Sequence, residues 1–437
     1  MRFTPRATWL ALMLSLPATA LLTACGSGGD GGGDTQVRLL NATRSYPSLD
    51  LTVNDKTINS KVAYATVGEY GAVNIDATAT KVLTSDVGTS IAATTPSLTA
   101  GSNYTYITYG FAGAVRTTLL QEAETVPDAN KAKLLVLNLA PDAGAMDVYL
   151  TTAADCALAT ETALTSNLQG GAGSGYIQVN SGTFRVCVTG YNKRAQDLRL
   201  NIPAVTLDSA TVNTLILTST DGGVLVNGIT LVQKGAVKNY ASTQARVRTV
   251  NALSNSATVS ATVNGQQMFD GAISPLISDY VTVESGASTL SVQVNGNSVS
   301  YTPPTFTAGT DTTLLVYGDP AAPKLSVLND DNRLPTVSGD VKIRLINAMP
   351  ISGAGLNVGF GAVASNVASG ATSVPATTSS SSSTQVDVTA PIAGSPIYTN
   401  TAFPLPANTV WTFIAVPTVM STTNTTGYTA LPKRERP

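Results

Sequence analysis

Short apolar and polar runs alternate along most of this chain, and one run is written four times. The copies are Val37-Arg38-Leu39-Leu40-Asn41-Ala42, Leu134-Leu135-Val136-Leu137-Asn138-Leu139, Val247-Arg248-Thr249-Val250-Asn251-Ala252 and Ile343-Arg344-Leu345-Ile346-Asn347-Ala348. Each is an apolar strand closed by Asn, then a turn, then a second apolar run. In the first copy Val37, Leu39 and Asn41 share one face, while Arg38, Leu40 and Ala42 share the other. The Asn residues lie 97, 113 and 96 positions apart, so each copy opens a unit of about domain size.

Period-two patterning continues through each unit. In Leu49-Asp50-Leu51-Thr52-Val53 the apolar residues point inward, which turns Asp50 outward, and Asn54-Asp55 makes a plausible hairpin turn. Unit two repeats the scheme with Met146-Asp147-Val148-Tyr149-Leu150, and Asn180-Ser181-Gly182-Thr183 reads as a further hairpin turn. Unit three carries Asn264-Gly265 and Asn295-Gly296, strong hairpin signals. Closing strands are expected over 104–109, 214–218, 313–317 and 410–416. A Ser/Thr run at 377–384 in unit four reads as a mobile loop.

Many short strands with frequent turn signals and no amphipathic helix predict an all-β protein of tandem immunoglobulin-like antiparallel β-sandwich domains. The period is too long for a solenoid, so the expectation is four beads on a string, over 36–130, 131–243, 244–340 and 341–437.

Composition narrows the chemistry. Charged residues make up 12%, about half the usual share, and Thr, Ser and Gly suit sheets and tight turns. The 437 residues include no histidine, which removes the commonest general base, the Ser-His-Asp arrangement and any His-containing zinc site. Net charge is −2, and the one basic run is Lys433-Arg434-Glu435-Arg436 at the end. Nucleic acid needs a larger positive footprint than that.

Residues 1–24 read as a lipoprotein signal peptide. Arg2 and Arg6 supply the positive end, 9–16 the short apolar run, and Leu22-Thr23-Ala24-Cys25 resembles the bacterial lipobox. Cys25 is then the lipidated mature N-terminus, and residues 25–35 form a Gly-rich tether. An acylated end anchors the protein to a membrane, and no later segment is apolar and long enough to span one. Gly26, rather than Asp, favours the outer membrane by resemblance to Gram-negative sorting.

The strand–Asn-Ala–turn–apolar-Asp-apolar pattern resembles the bacterial domain of unknown function 4397. Unit two fits best, over Asn138-Leu139-Ala140-Pro141-Asp142-Ala143-Gly144-Ala145-Met146-Asp147-Val148-Tyr149-Leu150. Asn stands where the family pattern has His, and only units one and two keep the Asp after the turn (Asp50, Asp147). The resemblance implies an immunoglobulin-like sandwich in envelope or secreted proteins, and no chemistry.

Candidate sites are few. The four Asn residues could be a recurring ligand contact, but Asn habitually ends strands by bonding nearby backbone. Asp142 with Asp147 offers too few oxygens for calcium. Gly170-Gly171-Ala172-Gly173-Ser174-Gly175 lacks the helix that a phosphate loop needs. Tyr104 and Tyr106 oppose Tyr109, so they form no single stacking platform. Cys156 and Cys187 are expected to form a disulfide in an oxidising envelope compartment. No catalytic residue, metal site or cofactor is predicted. The function expected is a non-catalytic envelope scaffold, partnered by the membrane and by envelope proteins or polysaccharide. The alternatives are a carbohydrate-binding adhesion array and, less favoured, a carboxylate-based glycosidase.

Overall fold

A computed structural model of the chain describes residues 34–76, 78–391, 396–419 and 426–436. The expected signal sequence, Cys25 and the expected tether up to residue 33 lie outside the described residues. The fold is all-β, with the strands of each unit divided between two facing sheets.

Unit one shows the plan. Its first sheet runs in the order β4 (Gly71–Asn74), β1 (Asp34–Asn41), β7 (Asn103–Tyr109), β8 (Arg116–Gln121). Its second runs β3 (Lys56–Ala63), β2 (Ser48–Val53), β5 (Thr80–Thr84), β6 (Ser90–Thr94). Strand pairs are antiparallel except that β1 and β7 lie side by side in parallel. The same parallel pair of opening and closing strand recurs in the other three units. β1 starts at Asp34, inside the expected tether, because Thr35 is buried and its hydroxyl donates to the Ser102 carbonyl at 2.7 Å.

The inward residues of the two sheets form one core per unit. In unit one Val37 and Leu39 pack on Leu49, Leu51, Val53 and Tyr104. The hairpin turns at Asn264-Gly265 and Asn295-Gly296 join paired strands, with both residues of each turn at positive φ. Two expectations fail. The strands flanking Asn180-Ser181 belong to different sheets, so that corner carries the chain across the sandwich instead of closing a hairpin. The Ser/Thr run at 377–384 falls, apart from Ser380, within Ala376–Ser379 and Ser381–Thr389, both paired strands. β-branched Thr tolerates the extended backbone, and Ser supplies the polar face of a half-exposed sheet.

The beads-on-a-string expectation also fails, because the outer face of each first sheet is covered. Leu40, Ala42, Ile107 and Tyr109 of unit one join Leu139, Ile216, Ile229 and Leu231 of unit two in a separate core. Val250, Leu315, Tyr317 and Leu328 of unit three do the same with Ile346, Ile414 and Val416 of unit four. A strand buried on both faces reads as a near-continuous apolar run, which is what Leu134-Leu135-Val136-Leu137 is.

Candidate functional site

Asn41, Asn138, Asn251 and Asn347 are all fully buried. Each accepts, through its side-chain oxygen, the backbone N–H two residues on: Thr43 and Ala140 at 3.1 Å, Leu253 at 3.3 Å and Met349 at 3.1 Å. Each amide nitrogen donates across the turn to a carbonyl of the neighbouring strand: Val62 at 3.1 Å, Leu168 at 2.9 Å, Ala272 at 2.8 Å and Val367 at 2.9 Å. The amide therefore fixes both the turn and the next strand. No face of it is left for a ligand.

Those four carbonyls share a second feature. Each follows a residue in the left-handed region, namely Lys61, Asn167, Gly271 and Asn366, where the strand bulges against its neighbour. The bulge exposes an N–H, and the motif Asp accepts it. Asp50 takes the Lys61 N–H at 2.7 Å and the Ser85 hydroxyl at 2.5 Å. Asp147 takes the Asn167 N–H at 2.9 Å, the Asn192 N–H at 2.9 Å and the Ser166 hydroxyl at 2.6 Å. In unit three Ser260 does the same for Gly271 at 2.9 Å. Asp50 is half-buried and Asp147 buried, so the latter does not face solvent as its alternation suggests. The turns that it caps cover it.

Asp142 does not join Asp147. Its carboxylate accepts the Leu334 N–H at 2.8 Å, and its backbone carbonyl accepts from Arg436. Tyr104, Tyr106 and Tyr109 are all buried. Gly173 opens a strand, so the Gly-rich run precedes no helix. Cys156 and Cys187 form a disulfide with Cα atoms 5.8 Å apart, set in a small cluster with Tyr149 and Leu158 on the outer face of the sheet.

The residues that sequence reasoning passed over stand three positions before the motif Asn. These are Arg38, Arg248 and Arg344, each almost wholly buried between units. Each donates through Nε to a Thr on the adjacent closing strand: Thr105 at 2.9 Å, Thr313 at 2.8 Å and Thr412 at 2.9 Å. Each then meets a buried acid. Arg38 binds Glu122 of its own unit at 3.0 Å and the Gly235 carbonyl of unit two at 2.9 Å. In the second pair the acids are exchanged. Arg248 of unit three binds Glu435 of unit four at 2.8 Å, and Arg344 of unit four binds Asp330 of unit three at 2.8 Å.

Tyr residues complete these seams. Tyr70 donates to Glu122 at 2.7 Å and lies under Arg38, and Tyr280 donates to Asp330 at 2.5 Å and lies under Arg248. Burial, then the Glu122 carboxylate, raises the Tyr70 pKa. Burial works against the Arg248 charge, yet Tyr280, Glu435 and Asp330 push its pKa up. In unit two, Leu135 replaces the arginine, and Gln233 replaces the acid, bonding the backbone of Glu124 instead. The recurrence of Arg inside an apolar run, at one place in three copies, was the signal available.

A further buried carboxylate, Asp311, pairs with Arg246 at 3.0 Å and accepts from Asn332 at 2.7 Å. Burial outweighs both and pushes its pKa up to about 6. The two pairs of units meet through Gly222, whose N–H donates to the Gly309 carbonyl at 2.8 Å, and through Arg333 stacked over Phe111.

The family described as Domain of unknown function (DUF4397) matches residues 35–149 and 245–355, together just over half of the chain. The chain belongs to this family. Each DUF4397 match runs from the opening strand of one unit through the repeated motif of the next, and so spans the two units that a seam joins. A search of curated proteins finds no match.

Two solved structures are similar to parts of the DUF4397 chain. One is a presumed cell adhesion protein from Bacteroides uniformis, at 10% identity and a TM-score of 0.21, covering 46% of this chain and 97% of that one. The other is the family 26 carbohydrate-binding module of Amy13K from Eubacterium rectale, in complex with maltoheptaose. It has 12% identity and a TM-score of 0.16, over 46% of this chain and 97% of that one.

Proposed function

We propose that this protein is a non-catalytic scaffold of the bacterial cell envelope, held at the outer membrane by lipid on Cys25. The observation that carries the scaffold reading is the use made of the buried charges. Arg248–Glu435 and Arg344–Asp330 pair across units three and four, and the Arg38–Glu122 pair of unit one bonds the Gly235 carbonyl and the Lys234 N–H of unit two. Buried ion pairs contribute little net stability over apolar packing, but they penalise any arrangement that leaves one charge alone. They suit a protein whose task is to hold four sandwiches in a fixed relation. The motif Asn and Asp side chains spend their hydrogen bonds on turns and bulges in the same way.

The anchor rests on the sequence over 1–25, where a positive end, an apolar run and small residues precede Cys25. A metabolic fatty-acid label followed in wild type and Cys25→Ser tests it. Label on the wild type and none on the variant supports the anchor, and label on both contradicts it.

A further inference from the structure

A groove of about 520 Å³ opens where unit two, unit three and the last strand (Thr426–Arg436) meet. Arg199, Arg246 and Arg436 line its inner part, and the exposed side chains of Lys193, Arg434 and Tyr191 line its mouth. A single ion needs far less room, since a water molecule occupies about 30 Å³.

The carboxylates that reach this groove are already engaged. Asp197 pairs with Arg199 at 2.7 Å, Asp279 with Lys433 at 3.2 Å, and Glu435 with Arg248 at 2.8 Å. Arg246 is matched by Asp311. Arg436 differs. It is buried, its guanidinium donates to the backbone carbonyls of Gly223 and Asp142, and it makes no ion pair among the described residues. Lys193 and Arg434 also make none among the described residues. Burial and the neighbouring Arg199 and Arg246 pull the Arg436 pKa down to about 10. The contrast with the seam between units three and four is plain, because there two arginines face two acids. Here positive charge is in excess, and it faces an open groove.

We propose that this groove binds the carboxylate groups of an acidic polysaccharide. Arg436 and Arg246 set the positive field, while Lys193 and Arg434 contact carboxylates from the mouth. Tyr191, 48% exposed, offers its ring to a sugar face. The choice of a polymer rests on the envelope reading above, because a protein displayed there meets such chains.

Calorimetric titration of the purified protein tests the proposal, using trigalacturonate, its fully methyl-esterified counterpart and inorganic phosphate as probes. Trigalacturonate is expected to bind and the ester to fail. Affinity should fall roughly tenfold in Lys193→Ala/Arg434→Ala, about the loss of two exposed charge contacts. Both positions are exposed, so folding is spared, and Lys56→Ala on unit one should bind as wild type does. Absence of binding, equal binding of the ester, or an affinity unchanged in the double variant would overturn the proposal. Phosphate binding as tightly as the saccharide would also overturn it, by showing a site for small anions. Fatty-acid label that is absent from the wild type, or retained in Cys25→Ser, would sink the envelope reading while leaving these titrations as they are, so the two failures are distinguishable.

Discussion

Arg248 and Glu435 lie 187 residues apart in sequence, and their charged groups meet at 2.8 Å with almost no exposure to solvent. The contact ties the opening strand of unit three to the last strand of unit four. Removing one partner of a buried pair strands the other charge and typically costs about 3–5 kcal/mol. Glu435→Gln is expected to lose an amount of this order in urea unfolding. Replacing both partners, as Arg248→Met/Glu435→Leu, is expected to recover most of it. Equal losses in the single and double variants would show that the pair is not the source.

The motif Asn makes the same prediction in four places. Truncating Asn138 removes bonds to the Ala140 N–H and to the Gly144 and Leu168 carbonyls. Leaving buried backbone groups unpaired costs about 1–3 kcal/mol each. Asn138→Ala should therefore lower the thermal midpoint clearly, while a change at the exposed Asn239 side chain on strand Val237–Tyr240 should not. If the amide were a ligand contact instead, Asn138→Ala would unfold as wild type does.

How much of this was legible in the sequence follows from range. The Asn turns, the Asn-Gly hairpins and the sandwich class depend on residues near one another, and periodicity exposes them. The seam pairs Arg38–Glu122 and Arg248–Glu435 join residues 84 and 187 positions apart, and no local pattern gives their partners. Two traces were nevertheless present. Unbroken apolar runs such as 134–137 mark a strand covered on both faces, and Arg38, Arg248 and Arg344 interrupt such runs at one repeated position. The terminal run Lys433-Arg434-Glu435-Arg436 stands out in the sequence only as a basic run. Its alternation instead sends Glu435 to Arg248 and Arg436 to Asp142.

Asp311 predicts a pH dependence with a definite sign. Its folded pKa of about 6 stands above the 3.8 of a free aspartate, so the native state keeps the proton longer. The stability this lends is complete below pH 3.8 and is lost as pH rises through 6. At about 1.4 kcal/mol per unit, the loss is at most about 3 kcal/mol. Asp331 runs the other way. Burial opposes its charge, but Arg333 and Lys342 hold its pKa at about 2, so its contribution is lost as pH falls toward 2. Asp311→Asn should flatten the stability profile between pH 4 and 6. A profile parallel to wild type would remove Asp311 as its cause.

The Cys156–Cys187 bridge closes a loop of 31 residues, worth about 3–4 kcal/mol in the chain-entropy model. Iodoacetamide should label neither cysteine in unreduced protein, and reduction should lower the stability of unit two by an amount of that order. Two labelled thiols before reduction would contradict the bridge.

The four sandwiches form one body. Small-angle X-ray scattering of residues 25–437 carrying Cys25→Ser tests this most directly. A single body predicts a bell-shaped dimensionless Kratky plot and a radius of gyration near the roughly 22 Å of a compact chain of this length. Beads on flexible links would give a rising, broad Kratky plot and a markedly larger radius, and that result would contradict the account.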